Sequence, residues 1–286
     1  MPRVVVVTDT TAVLPPAVAA AAGIEVVPLP VAIGGVTHLD GEDGTAPGDI
    51  ITALTARQSV STSRPAPATM LALYERLAAE GADAVLAVHL TAEMSGTIES
   101  VRIAARRSPI EVLAVDTRMV GPGVGFAALA GAHAAAGGAS LAEAAEAVMA
   151  RAERTRSYFY VDSLEYLRRG GRIGTASALV GSALSVKPLL TIDDGRVVVK
   201  EKVRTSTRAL ARLEDLTVEA AGTGPVDVIV AHLGAPERAD ALVRGITDRL
   251  AGQIDQVAKV VELGAVLGAH VGPGLVATCV APALGS

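Results

Sequence analysis

Val4-Val5-Val6-Val7-Thr8-Asp9-Thr10 is a run of four valines that ends in small polar residues. A continuous run of β-branched residues predicts a strand that is covered on both faces, as strands of parallel sheets are. Further apolar runs follow at Ala84–His89 and over residues 110–115, with helical patterns between them. This alternation predicts an α/β fold with a parallel sheet in the N-terminal part of the chain.

The length of 286 residues fits two α/β lobes. Ser140 and Glu143 form a capping box that opens a helix, and a strand containing Tyr158 and Tyr160 follows it. We therefore expect an N-terminal lobe over residues 1–156 and a C-terminal lobe over residues 157–286. Asp194-Gly195 lies between two apolar runs of the second lobe and predicts a hairpin there, which in turn predicts a mixed sheet.

The composition limits the possible functions. Half of the residues are apolar but only 2% are aromatic, so the core and the walls of any pocket are aliphatic. The net charge is −5 and no dense run of lysine and arginine occurs, which argues against a nucleic-acid partner. Cys279 is the single cysteine, which fits a reducing compartment, and we expect a cytoplasmic protein. No long exposed apolar stripe is predicted, so we expect a monomer.

Two apolar stretches resemble membrane or signal segments, but polar residues interrupt both. Asp9 breaks the first after the four valines. Glu262, His270 and Pro273 interrupt residues 260–284, which we interpret as strand, loop and strand. We expect neither a signal peptide nor a transmembrane segment.

Neither a metal nor a nicotinamide cofactor is expected. Residues 123–128 match the G-x-G-x-x-A fingerprint by letter, but Pro122 and five further residues separate them from the preceding strand. We interpret them as the start of a closely packed helix. The histidines without metal-ligand spacing are His38, His89, His133 and His232.

Three short polar stretches are candidates for binding an anion. Thr62 and Ser63 end an extended run, and Pro65 keeps the residue before it out of the helical region. Ser95 and Gly96 follow the strand that ends at His89, and ligands of open α/β sheets bind beyond the carboxyl ends of the strands. Each stretch, taken alone, is also a common helix cap or turn.

The third stretch surrounds His270, which lies among Gly268, Gly272, Pro273 and Gly274. This glycine-rich sequence predicts a loop whose backbone can approach a ligand closely. A buried core histidine is the alternative interpretation. Neutral donors within an aliphatic protein suit a molecule with an acidic head and an apolar tail.

A different class of function also fits these residues. Ser95 as nucleophile and His270 as base, with an acid such as Asp116, would make an esterase or thioesterase. The sequence lacks the G-x-S-x-G elbow of such enzymes.

The ordered set of motifs resembles that of the DegV family of bacterial fatty-acid-binding proteins. These motifs are Thr8-Asp9-Thr10, Thr62-Ser63-Arg64-Pro65, Ser95-Gly96-Thr97, Val115-Asp116-Thr117, Asp162-Ser163-Leu164-Glu165-Tyr166-Leu167, Gly170-Gly171-Arg172-Ile173, Val186-Lys187-Pro188-Leu189-Leu190, Lys202-Val203-Arg204 and Gly268-Ala269-His270-Val271-Gly272-Pro273-Gly274. The resemblance covers almost the whole chain. Two positions depart from it: Arg64 replaces a more usual glutamine, and Ile98 a more usual tyrosine.

The resemblance implies a long-chain fatty acid buried between two lobes, with no other cofactor. It implies that Thr62 and Ser95 hold the carboxylate near His270, and we add the neighbouring Ser63 and Gly96 to this group. It further implies a binding protein that is not catalytic alone and that presents the acid to a separate ATP-dependent fatty acid kinase. We expect Arg172 and Arg204 to contact that kinase.

Overall fold

The computed structural model describes residues 3–179, 186–254 and 258–285. These residues fold into two compact units. The N-terminal unit contains residues 3–30 and 63–154, and the C-terminal unit contains residues 31–62 and the described part of 155–285. The chain therefore passes from the first unit to the second, returns, and then passes to the second again.

A four-stranded parallel sheet forms the centre of the N-terminal unit, as predicted. Its order is β2-β1-β6-β7, and every neighbouring pair runs parallel. The four strands are β1 (Val4–Asp9), β2 (Ile24–Val27), β6 (Ala84–His89) and β7 (Glu111–Asp116). The valine run is almost completely buried because helices cover both faces of the sheet.

The helices of this unit form two layers. The helices are α1 (Pro16–Ala21), α3 (Pro67–Ala79), α4 (Thr97–Ala105), α5 (Pro122–Ala136) and α6 (Leu141–Arg154). Alternate residues Val5 and Val7 pack with α3 and α4, whereas Val6 packs with α5 and α6.

The glycines of α5 permit the close packing predicted for residues 123–128. A Cβ atom on Gly125 would lie 2.6 Å from the carbonyl oxygen of Ala12. A Cβ atom on Gly131 would lie 2.7 Å from Val148 of α6. These glycines therefore allow α5 to pack closely against Ala12 and against helix α6.

The C-terminal unit contains a six-stranded mixed sheet, also as predicted. Its order is β10-β9-β8-β13-β11-β12, in which only β11 and β12 pair in parallel. Its strands are β8 (Arg156–Tyr160), β9 (Lys187–Asp193), β10 (Arg196–Val203), β11 (Val226–His232), β12 (Lys259–Glu262) and β13 (Val276–Pro282). The hairpin of β9 and β10 turns at Asp194 and Gly195, both with positive φ.

A smaller antiparallel sheet of order β4-β3-β5 belongs to the same unit. Its strands are β3 (Pro30–Ile33), β4 (Val36–Leu39) and β5 (Val60–Thr62). The helices of the unit are α2 (Pro47–Thr55), α7 (Glu165–Arg169), α8 (Ser206–Ala221), α9 (Pro236–Arg249) and α10 (Ala265–Val271). Leu213 of α8 and Ile246 of α9 are fully buried with Tyr160 and Val230 in its main core.

The division of the chain differs from the expected boundary at residue 156 in one respect. Residues 31–62 group with the C-terminal unit, because β5 and α2 pack against α10. Thr62, expected in the N-terminal lobe, is therefore the last residue of a segment that belongs to the C-terminal unit. The chain enters the N-terminal unit at the next residue, Ser63.

The apolar stretch over residues 260–284 forms the end of β12, then α10 and β13. The predicted pair of strands is present, but the segment between them is a helix and not a loop. None of the helices within the described ranges is long and apolar enough to cross a membrane.

Candidate functional site

The C-terminal unit brings together two of the predicted residues, Thr62 and His270. Thr62 ends β5, where it pairs with Val31 of β3. His270 lies in the last turn of α10, which packs against β5. The Oγ1 atom of Thr62 lies 2.8 Å from Nε2 of His270, a hydrogen-bond distance.

The prediction that His270 lies on a glycine-rich loop was wrong. Gly264 and Gly272 bracket a helix of seven residues, and Gly272 ends it with a φ of 73°. The glycine inside the helix, Gly268, faces Ile50 and Leu233 at distances that leave no room for a larger residue to sit without adjustment. Tertiary packing thus outweighs the low helix propensity of glycine.

A buried carboxylate holds the start of this helix. Asp40, which follows β4, accepts hydrogen bonds from the backbone N–H groups of Ala265 at 2.8 Å and Val266 at 3.4 Å. These two N–H groups have no partner within the helix, and the helix dipole favours a negative charge there. Sequence reasoning missed Asp40, because 225 residues separate it from Ala265.

The ring of His270 is held in a tight space beside Gly170. A Cβ atom on Gly170 would overlap Nδ1 of His270, so only glycine leaves room for the ring. Nδ1 itself is buried and has no hydrogen-bond partner among the described residues. Burial, with a smaller effect of the nearby Arg172, lowers the pKa of His270 from 6.5 to about 4. The imidazole is therefore neutral at pH 7.

The neutral ring carries its hydrogen on one nitrogen. If Nδ1 carried it, a buried N–H group would lack an acceptor, which is rare in proteins. The geometry therefore favours a hydrogen on Nε2, which donates to Thr62 Oγ1. The hydroxyl hydrogen of Thr62 is then available to an acceptor outside this pair.

A cavity of about 280 Å³ adjoins the pair. Arg172 contributes to its wall and donates a hydrogen bond to the carbonyl oxygen of Gly170. The polar lining also includes Gln58, Ser61 and two residues of α7, Tyr166 and Arg169. Leu54 and Val60 contribute apolar atoms. The sequence motif over residues 170–173 indicated Arg172 as a site residue, whereas nothing marked Gln58.

The remaining predicted residues lie elsewhere. Arg204 is exposed after β10 and does not line this cavity. Ser63 is exposed in the N-terminal unit, where its backbone N–H donates to the carbonyl oxygen of Pro30 at 3.1 Å. A larger cavity, of about 540 Å³, lies beside the ion pair of Asp162 and Arg238 in the C-terminal unit and contains none of the predicted ligand-binding residues.

Ser95 and Gly96 lie in the N-terminal unit between β6 and α4. The Oγ atom of Ser95 lies 2.9 Å from the hydroxyl of Thr97 and accepts the backbone N–H of Thr97 at 3.3 Å. A Cβ atom on Gly96 would lie 2.8 Å from the side chain of Arg64, so the arginine packs directly on this glycine. Thus Arg64 places a cation beside the Ser95 loop.

The predicted alternative of a Ser95, His270 and Asp116 triad receives no support from the hydrogen bonds of the described residues. His270 bonds Thr62, and the hydroxyl of Ser95 bonds that of Thr97. The carboxylate of Asp116 accepts the backbone N–H groups of Ala92 and Arg118. Each member therefore has a partner outside the proposed triad.

The N-terminal unit also contains a buried pair that sequence reasoning missed. Nδ1 of His89 lies 2.6 Å from Oδ2 of Asp9, and both side chains are completely buried. Asp9 belongs to the Thr8-Asp9-Thr10 motif, and its position at the end of a strand is the sequence signal from which the pair could have been found. The carboxyl ends of neighbouring parallel strands meet at one edge, which brings His89 beside it.

Comparisons with known proteins agree with this fold. The family described as "Uncharacterised protein, DegV family" matches residues 3–283. A DegV domain-containing protein from Streptomyces coelicolor is 47% identical over 278 residues, which cover 97% of this chain and 98% of that protein.

Two solved structures are also similar. A fatty acid binding DegV family protein from Thermus thermophilus has a TM-score of 0.90 and 32% identity, with 98% of this chain and 100% of that chain covered. DegV from Bacillus subtilis, described as a fatty acid binding protein, has a TM-score of 0.89 and 30% identity, with 99% and 100% covered. The resemblance drawn from the motifs is confirmed, and the chain belongs to the DegV family.

Proposed function

We propose that this protein binds a long-chain fatty acid and holds its carboxylate with uncharged hydrogen-bond donors. The hydrogen bond between Thr62 and the neutral His270 carries this proposal. The two similar structures described as fatty-acid-binding proteins support the ligand class. A buried carboxylate without partners costs several kcal/mol or more, so a site for it needs donors.

Thr62 donates to the carboxylate because His270 occupies the other side of its hydroxyl oxygen. The Nε2 hydrogen of His270 fixes the orientation of that oxygen, so the hydroxyl hydrogen points away from the ring. Arg172 in the cavity wall adds a positive field that favours an anion. In the N-terminal unit we assign the same donor role to Ser95 and Gly96, and Ser63 remains a candidate.

The acyl chain supplies most of the binding energy. Burial of ~14 methylene groups, at ~0.8 kcal/mol each, contributes roughly 11 kcal/mol before the cost of ordering the chain is subtracted. The aliphatic and aromatic-poor composition suits a smooth wall for this chain.

The proposed role of the complex is presentation of the acid to an ATP-dependent fatty acid kinase. A carboxylate held by neutral donors keeps its charge on the oxygen that attacks the γ-phosphorus of ATP, which yields an acyl phosphate and ADP. In this proposal the protein acts as a cytoplasmic monomer without catalysis of its own. Arg172 and Arg204 are the proposed contacts to the kinase.

The first test is mass spectrometry of an organic extract of the purified protein, in which a stoichiometric fatty acid is expected. Titration with palmitate then compares Thr62→Ala with Thr62→Ser, which retains the hydroxyl. We expect Thr62→Ala and Ser95→Ala to weaken palmitate binding about tenfold each, as expected for a lost hydrogen bond to a charged group, and Thr62→Ser to bind nearly as the wild type does.

Acyl-phosphate formation with a purified ATP-dependent fatty acid kinase tests presentation. The wild type should support ADP release that depends on both palmitate and the kinase. Wild-type binding and wild-type ADP release by both alanine variants would refute the proposed roles of Thr62 and Ser95. Ester hydrolysis that is lost in Ser95→Ala would favour the esterase instead.

A further inference from the structure

The loop that carries Ser95 is fastened to a neighbouring strand. This Ser95 loop, residues 90–96, connects β6 to α4. The backbone N–H of Ala92 in the loop donates to Oδ2 of Asp116 at 3.1 Å. Asp116 is the last residue of β7 and lies opposite His89, the last residue of β6. Because the carboxyl ends of these parallel strands meet at one edge of the sheet, a side chain of β7 reaches the loop that leaves β6.

The second oxygen of the Asp116 carboxylate holds the turn that follows β7. Oδ1 accepts the backbone N–H of Arg118 at 2.9 Å. Arg118 has a φ of 55°, in the left-handed region that costs free energy for a residue other than glycine. The hydroxyl of Thr117 donates to the carbonyl oxygen of His89 at 2.9 Å and accepts the backbone N–H of Met119 at 3.2 Å. Several hydrogen bonds therefore keep this turn in a costly conformation.

The same turn holds the Ser95 loop at a second point. The carbonyl oxygen of Met119 accepts the backbone N–H of Thr91 at 3.0 Å. The carbonyl oxygen of Thr91, a completely buried residue, accepts the backbone N–H of Ser95 at 3.3 Å. A continuous series of hydrogen bonds thus leads from the turn after β7 to the backbone of Ser95.

The other end of the loop is fixed by α4. The Oγ atom of Ser95 accepts the backbone N–H of Thr97, the first residue of that helix, at 3.3 Å. Ser95 itself is only partly buried, so its side chain is accessible while its backbone is held from both sides. A donor that is already in place loses little conformational freedom when a ligand binds, and this saving strengthens binding.

We propose that Asp116 is a positioning residue for Ser95: its carboxylate anchors the Ser95 loop and the adjoining turn, and so keeps the serine hydroxyl where it donates to the carboxylate of the fatty acid. This inference rests on the proposed function. It gives a role to the motif Val115-Asp116-Thr117, to which the proposed function assigns none. Asp116 acts through the loop and does not itself contact the ligand.

A double-mutant cycle with palmitate tests this inference. Palmitate affinity is measured for the wild type, Asp116→Ala, Ser95→Ala and the double variant. We expect Asp116→Ala alone to weaken binding about fivefold, because the hydroxyl of Ser95 loses its fixed position. In the Ser95→Ala background the same substitution should weaken binding by less than about 1.5-fold, because no hydroxyl remains to be positioned. Glu111→Ala, at the exposed first residue of β7, is the matched control and should bind palmitate as the wild type does.

Asp116→Asn is the second variant, and it decides the cycle if Asp116→Ala fails to fold. The single side-chain oxygen of asparagine can replace only one of the two carboxylate oxygens that hold Ala92 and Arg118. We expect this variant to fold and to weaken palmitate binding about twofold to threefold, again only when Ser95 is present.

The outcomes separate this inference from the proposed function. Equal weakening by Asp116→Ala in both backgrounds would mean that Asp116 supports the fold and not Ser95, and wild-type affinity in both Asp116 variants would mean that the anchor is not needed. Either result overturns this inference and leaves the proposed function intact. Wild-type affinity in Ser95→Ala would overturn the proposed role of Ser95 and this inference with it. Absence of palmitate binding by the wild type would overturn the proposed function as a whole.

Discussion

At the residue scale, His270 illustrates how burial determines a protonation state and thereby a hydrogen-bond direction. The ring is enclosed between Gly170 and Thr62, and both its burial and Arg172 disfavour a positive charge. A neutral ring donates through one nitrogen only, which leaves the hydroxyl of Thr62 free for a ligand. A charged His270 would lose this arrangement, because both nitrogens would then require acceptors.

This state has a consequence for stability against pH. The pKa of His270 is about 4 in the folded protein and near 6.5 in the unfolded chain, so the unfolded chain binds the proton more readily between these values. The folded state should therefore lose stability as the pH falls from 6.5 towards 4. Urea unfolding of the wild type and of His270→Gln across this range measures the effect, and the variant should show the shallower pH dependence.

The exposed His133 is the control for that measurement. His133→Gln replaces a histidine at an exposed position, away from the Thr62–His270 pair, and should retain the pH dependence of the wild type. An identical slope for His270→Gln and the wild type would contradict the neutral state of His270.

Sequence reasoning proposed Thr62, His270 and Arg172 as candidate site residues, because each belongs to a polar motif among apolar residues, and the structure places all three at one cavity. It could not identify Gly170 as the residue that makes room for the His270 ring, because that contact joins positions 100 residues apart in the chain (170 and 270). His89 was considered only as a metal ligand, and its pairing with Asp9 depends on the register of two strands.

At the scale of elements, α10 shows how a short helix depends on a distant residue. With seven residues, the helix is too short to be stable alone. Asp40 supplies acceptors for its first N–H groups, and α2, α7 and β5 pack around it. The position of His270 is therefore set by segments from three parts of the chain.

Replacement of Asp40 should destabilise this arrangement. Asp40→Ala leaves two N–H groups at the start of α10 without their acceptor, so we expect the free energy of unfolding to fall by about 1–3 kcal/mol. Asp40→Asn, which retains one side-chain oxygen, should recover part of the loss. Chemical denaturation of both variants measures these differences.

The matched control for Asp40 is Asp43, an exposed residue of the same loop. Asp43→Ala should change the free energy of unfolding by no more than about 0.5 kcal/mol. An equal effect of both alanine variants would mean that only the charge of the loop matters, and not the contact with α10.

Elements with a local signal were predicted well. The capping box at Ser140 opens α6, with hydrogen bonds between Ser140 and Glu143 in both directions. The hairpin at Asp194 and Gly195 was also confirmed. The helix α10 was not predicted, because its glycines favour a loop when only neighbouring residues are considered. The contacts of Gly268 with Ile50 and Leu233 outweigh that local preference.

At the scale of the whole molecule, the fold class followed from the pattern of the sequence, and the exact division did not. The valine run and the alternation of strands and helices predicted a parallel sheet, and the hairpin predicted a mixed one. Residues 31–62 group with the C-terminal unit because they pack around α10, and the sequence contains no local signal for this packing.

Ligand binding should stabilise the whole protein. A ligand that binds only the folded state adds about 2.7 kcal/mol at a concentration of 100 Kd. For a chain of this size we expect palmitate to raise the melting temperature by roughly 5 °C or more at that concentration. Methyl palmitate, which has the same chain but no acid, should raise it much less. Equal shifts by both compounds would show that no residue recognises the carboxylate.

Residues 31–62 belong to the C-terminal unit although they lie between two segments of the N-terminal unit. This arrangement limits the positions at which segments of related proteins can be exchanged. A chimera with a breakpoint at residue 156 would unite α10 from one parent with Asp40 and Thr62 from the other. A chimera that transplants residues 31–62 together with the C-terminal segment would keep these partners from a single parent. Natural recombinants and designed hybrids should tolerate the second kind of junction better than the first.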